Sequence, residues 1–226
     1  MLPNEDRMKI TISKELQQLL PEFHVHAYHM QIEVASSEVT EEAIQYYEQK
    51  IKEEYSLEDI LNIPLIKQGR DGYKTLGKDP SRYRLACESL LRRLVKGYGL
   101  YRINNVVDAG NLLSLALFRS TAILDYHKIQ GDITIRLGTK DDIYYGIGRG
   151  LLNVEAIPLY EDQVSPFGSP TSDTLRTMIT PETKEILVMV ICFGPSSESE
   201  IDQTVINLYA TTCHATNIKK ILVTRG

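Results

Sequence analysis

Apolar and polar residues alternate over His24 to Val34 (HVHAYHMQIEV), and a period of two predicts a strand. The β-branched alternation from Met8 to Ile12 predicts another. A short helix is expected from Lys14 to Leu20, where Pro21 stops it. The period then lengthens. Ile44, Tyr47 and Ile51 recur at helical spacing behind a Thr40 cap, and Glu41 and Glu42 suit the positive end of a helix reaching about Tyr55. Ile63 to Gly77 reads as a loop broken by Gly69, Gly72 and Gly77. Asp79-Pro80 reads as the cap and first position of a helix running to about Lys96. Leu85, Leu90, Leu91 and Leu94 form its apolar stripe, with Arg84, Glu88 and Arg92 on another face. The next helix is expected from an Asn105 cap, with Asp108 three residues on, to about Phe118.

In the second half, strands are predicted over Asp132–Leu137, Glu155–Tyr160, Glu185–Cys192 and Lys219–Thr224. Ser165 to Asp173 (SPFGSPTSD) is a nine-residue Pro/Gly/Ser loop, long enough to suggest a functional role. Ser197 and Glu200 fit a capping box that opens a helix to about His214. Helices and strands are interspersed without a strict βαβ rhythm, so the expected class is α+β. The expected organisation is one domain over residues 1–226, with an acidic part, 1–64, ahead of the body, 65–226.

Composition sharpens this picture at three points. Of the 226 residues, 42% are hydrophobic and 24% charged, enough for a packed core. No apolar run approaches the roughly 20 residues of a membrane helix, and the opening MLPNEDRMKITISKE carries acids early, unlike a leader peptide. A cytoplasmic location without membrane association is therefore the expectation. Cys87, Cys192 and Cys213 form no CxxC pair and are expected to be small buried hydrophobes. The net charge of −5 is uneven: residues 1–65 carry net −8, residues 66–102 net +7. An acidic chain with one basic segment can dock a phosphate backbone locally.

Several chemistries can be weighed. His24 and His26 project from one face of their strand, but only Glu22 stands near them in sequence, so a polar strand face is expected and no metal site. There is no GxSxG elbow, and GIGRG at 146–150 lacks the Lys-Ser/Thr ending of a phosphate loop and reads as a tight turn. Arg82, Arg84, Arg92, Arg93, Lys96 and Arg102 are interleaved with Tyr83, Tyr98 and Tyr101, a combination suited to phosphates and unstacked bases. Internal pairing with Glu88, Asp79 or Asp108 is the competing use of those arginines.

Three blocks occur in order: YKTLGKDPSRYRLACESLLRRLVKG from Tyr73, LYRINNVVDAGNLLSL from Leu100, and LDYHKIQGDITIRL from Leu124. They resemble the B3/B4 domain, the tRNA-editing part of the phenylalanyl-tRNA synthetase β subunit, most closely in its free-standing form. The resemblance runs over about residues 65–195 and implies a mixed-sheet body flanked by helices, with no metal or organic cofactor. It implies hydrolysis of an amino acid wrongly esterified to tRNA, with tRNA as the partner and oligomeric state left open. The family's pocket asparagine falls at Asn111, while its threonine, histidine and glutamate positions fall at Gly110, Ala122 and Met189. Asn104, Ser114, Thr171, Asp173 and Arg176 complete the expected substrate-binding set, with Asn111 and Asp173 as catalytic candidates. The other readings are a non-catalytic tRNA or RNA-binding module and a protein that binds or hydrolyses an amino acid or its ester.

Overall fold

A computed structural model describes residues 8–226; the acidic residues Glu5 and Asp6 of the opening segment lie outside it. The strands are β1 (Ile10–Ile12), β2 (His24–Gln31), β3 (Thr121–Asp125), β4 (Ile133–Leu137), β5 (Tyr145–Gly146), β6 (Gly150–Leu151), β7 (Pro158–Glu161), β8 (Pro166–Gly168), β9 (Glu185–Cys192), β10 (Thr216–Ile221) and β11 (Val223–Arg225). The helices are α1 (Lys14–Leu19), α2 (Glu41–Glu54), α3 (Asp59–Asn62), α4 (Pro64–Thr75), α5 (Ala86–Val95), α6 (Asn105–Leu117) and α7 (Glu198–Cys213). The class is α+β.

Two sheets form the body. One runs in the order β11-β1-β4-β7-β8, the other β10-β2-β9-β3. The first is mixed, with β1 parallel to β4 and β11 while β7 pairs antiparallel with β4 and β8. Alternate residues of each sheet meet between them: Ile10, Ile12, Ile133 and Ile135 pack with Ala27, Ala122, Leu187 and Met189 in one buried cluster. The opposite face of the four-stranded sheet, with Tyr28, Met30, Val188 and Val190, is covered by Val106, Ala109 and Leu113 of α6 and Val205 and Tyr209 of α7. A third cluster joins α2, α4, α5 and the far side of α6 through Ile44, Ile66, Leu91 and Leu112. Both α6 and β9 are buried on two sides, which is why their apolar patterns read as near-continuous.

Four expectations need correction. The segment read as a loop from Ile63 is helix α4. Gly69 and Gly72 are buried contacts in it: a Cβ at Gly72 would stand 2.4 Å from Phe193 Cδ1. Conversely, the helix expected from Asp79-Pro80 begins only at Ala86. Asp79 Oδ1 accepts from Ser81 N in a local turn, Leu85 is extended (ψ 145°), and Ala86 N donates to Pro170 O. The cap of α6 is Asn104, whose Oδ1 accepts from Val106 N and Val107 N. Asn105 is instead fully buried, donating to Glu33 O and Thr212 O and accepting from Ala35 N. Asp108 does serve the helix start, accepting from Ile103 N. Lastly, the closing strand divides at Leu222, so β10 joins one sheet and β11 the other.

Candidate functional site

The Ser165–Asp173 segment opens as strand β8 and then folds upon Ser169. Ser169 Oγ donates to Ser172 O and accepts from Thr171 N and Ser172 N. Pro170 O accepts from Ala86 N and Ser120 Oγ, which pins the segment against α5 and the start of β3. The result places Asp173 beside Gly168, where a Cβ on that glycine would stand 2.7 Å from Asp173 Oδ1 and 2.6 Å from the Tyr160 ring.

Three buried tyrosines surround this turn. Tyr73, from α4, shares a 2.8 Å hydrogen bond with Thr171 Oγ1. Tyr144 donates to Ser172 O. Tyr160, from β7, is fully buried, and its hydroxyl has no hydrogen-bond partner among the described residues. Asp173 keeps partial exposure as a residue, while its carboxyl is closely surrounded by protein. That burial pushes the carboxyl up to about 7, opposed by the Ser169 amide. Burial also raises Tyr144 and Tyr160, and the nearby Asp173 charge adds to both shifts. A carboxylate that titrates near neutral beside hydroxyl groups has the properties of a general base.

Arg176 does not join this group. It pairs with Asp162 at 2.8 Å and donates to Lys128 O and Ser165 O. Thr171 and Asp173 therefore share a turn, and Arg176 braces the neighbouring one. The remaining expected residues separate across β3. Ala122 and Met189 are register partners on β3 and β9 and face the sealed core between the sheets. Ser114 lies against the other face, its hydroxyl 2.7 Å from Thr121 Oγ1, and Asn111 is half-buried one turn before it on the same helix. Asn104 is occupied as the α6 cap.

Most of the basic segment is engaged internally. Fully buried Glu88 receives Arg70 at 2.9 Å and Arg92 at 2.8 Å, with Arg84 3.9 Å away. Arg102 pairs with Glu41 and Glu48 of α2 at 3.0 and 2.5 Å, so the acidic N-terminal part neutralises this cation. Arg93 donates to Gly99 O and Tyr101 Oη and lies 3.9 Å from the Tyr101 ring centroid. Arg82 and Lys96 are exposed, and no acid pairs with either among the described residues.

Sequence reasoning missed Tyr144, Tyr160 and Lys78. Lys78 is buried with its Nζ 2.9 Å from Asn153 O and 2.7 Å from Glu155 O, and desolvation lowers its pKa. The one available signal was Gly-Lys within the GKDPSR block; the two tyrosines stand in no motif.

The sequence pattern of the B3/4 domain matches residues 68–216. The chain belongs to the B3/4 domain family. The span contains α5, α6, the Ser165–Asp173 segment and α7, and ends at Thr216, the first residue of β10. The chain is similar to the phenylalanine–tRNA ligase β subunit of Fusobacterium nucleatum, 30% identical over 110 residues, which is 47% of this chain and 14% of that protein. Its fold resembles the crystal structure of an N-terminal fragment of the phenylalanyl-tRNA synthetase β subunit from Pyrococcus horikoshii, with a TM-score of 0.55 at 12% identity, over 97% of this chain and 52% of that one. This chain is thus a synthetase-related domain spanning a minor part of one relative and about half of the other. Among the described residues no helix is long and apolar enough to cross a membrane.

Proposed function

We propose that this B3/4 domain hydrolyses the ester of a misacylated tRNA, with Asp173 positioning and deprotonating the attacking water. The observation carrying the reading is a carboxyl, closely surrounded by protein and paired with no cation among the described residues, that is pushed up to about 7 by burial on a turn lined by Thr171, Tyr73 and Tyr144. An aminoacyl ester is already activated, so orientation of the ester and removal of one proton from water suffice for substantial acceleration. In this reading Asp173 takes the water proton, the hydroxyl adds to the ester carbonyl, and the tRNA 3′ oxygen leaves with a proton as the amino acid is released. Asn111 is available as a binding group, since its amide is half-buried and makes no hydrogen bond within the described residues.

The apolar environment of Ala122 and Met189 argues that a tyrosine hydroxyl is not selected at those positions, so the amino acid released differs from that of the synthetase pattern. The test is release of labelled amino acid from a panel of correctly and wrongly charged tRNAs. Activity is expected on a few pairs, rising with pH through about 7 and falling at least about 100-fold in Asp173→Asn. Undiminished hydrolysis in a folded Asp173→Asn chain, or no hydrolysis of any pair, rejects the reading. Binding without turnover would favour a recognition module, a role compatible with exposed Arg82 and Lys96, which pair with no acid among the described residues.

A further inference from the structure

The pairing of β2 with β9 assembles a second reactive cluster outside the Asp173 site. His24 and Cys192 are register partners, and His26 lies two residues along on the same face. One nitrogen from each ring and the Cys192 sulfur all lie within 4.8 Å of one another. Tetrahedral ligands around zinc stand about 3.3–3.8 Å apart, so side-chain rotations of about 1 Å close the set.

Two further details point to a ligand. His24 Nδ1 stands 2.8 Å from Glu22 O, an acceptor only, so Nδ1 carries the proton and Nε2 presents a lone pair. A backbone carbonyl behind a histidine is the usual outer support of a metal-bound ring. Both Nε2 atoms also aim at one point: Ser196 Oγ lies 2.7 Å from His24 Nε2 and 3.0 Å from His26 Nε2. One hydroxyl can donate to His24 Nε2 and accept from His26 Nε2–H, so the serine marks a single polar point on which both rings converge and which a cation can take over. His24 and Ser196 are partly exposed, which leaves an approach from solvent, while Cys192 closes the inner side.

We propose that His24 Nε2, His26 Nε2 and Cys192 Sγ bind one Zn²⁺, with a water or Ser196 Oγ in the fourth position. Two imidazoles and one thiolate suit a borderline-soft divalent ion and disfavour Mg²⁺ and Ca²⁺. Binding is a simple exchange: the zinc loses bound waters, Cys192 loses its thiol proton to solvent, and one S–Zn and two N–Zn bonds form. Three protein ligands leave one coordination position open, and the ion would tie the exit of β9 to the start of β2.

The test uses the full purified chain with Zn²⁺ or Co²⁺ alone. One equivalent of Co²⁺ should give tetrahedral visible bands and a thiolate-to-metal charge-transfer band. Cys192→Ser should lose the latter, and His24→Gln should weaken binding at least about 100-fold. Because Cys192 is buried and its substitution disturbs the core, X-ray absorption on the zinc-loaded wild-type chain supplies a readout that needs no substitution. One sulfur and two imidazole nitrogens support the site. A purely nitrogen-and-oxygen shell, or uptake unchanged in a folded His24→Gln chain, overturns it.

Discussion

Asp173 illustrates how a single residue acquires its chemistry from surrounding backbone. Its turn is held by Ser169, and its carboxyl rests over Gly168 where any larger residue would collide. Among the described residues no cation offsets the burial, so the folded-state pKa of about 7 lies above the ordinary 3.8. The folded state then holds this proton more tightly than the unfolded chain between those values. Stability contributed by the group is full below about 4 and declines as pH rises to about 7, beyond which the penalty is constant. Asp173→Asn should therefore be more stable relative to wild type at pH 8 than at pH 5, by at most a few kcal/mol. Paired urea melts at the two pH values measure this, and an equal effect at both pH values contradicts the assignment.

At the scale of elements, α4 shows why glycine spacing misleads. Glycines in a helix ordinarily cost about 1 kcal/mol each, and three within nine residues read as breaks. Here two of them let α4 approach its neighbours: Gly69 lies under Leu85 and Gly72 under Phe193. Gly72→Ala would gain helix propensity but place its methyl 2.4 Å from the Phe193 ring. The expected net effect is a destabilisation of about 1–3 kcal/mol, read by chemical denaturation. A stabilised variant would mean that Phe193 can move aside. The α5 start carries the converse lesson: Asp-Pro marks a turn or a helix, and the carbonyl of Pro170, contacting from 84 residues away, selects Ala86 as the first helical residue.

For the whole molecule, charge placement limits nucleic-acid contact. Six basic side chains in sequence suggested a phosphate track, yet Arg84, Arg92 and Arg102 lie against Glu88, Glu41 and Glu48. Arg82 and Lys96 face outward with no acid paired to them among the described residues, Arg84 is exposed but stands 3.9 Å from Glu88, and Arg93 is half-buried. Binding of charged tRNA should consequently show a shallow salt dependence, with a slope of log affinity against log salt of about −2 rather than about −5. A titration between low and moderate salt decides this; a steep slope would require the Glu41, Glu48 and Glu88 pairs to open. Arg102→Ala should leave the slope unchanged, because its charge is already balanced.

What could be read from sequence, and what could not, follows from range. Apolar patterning located β2, β4, β9 and α2, and capping signals located α6 and α7, because these signals are written in each element's own residues: the EILVMVIC run names a strand buried on both sides wherever it packs. The three ordered blocks were enough to place the chain in its family. The sheet order, the separation of Ala122 and Met189 from Asn111 and Ser114 by β3, and the meeting of Tyr73, Tyr144 and Tyr160 around Asp173 belong to tertiary structure alone. So does the approach of Cys192 to His24 from 168 positions along the chain. Local patterns report which side of an element is buried; partners across a sheet are chosen by register and packing of distant segments, and no short stretch of sequence carries that choice.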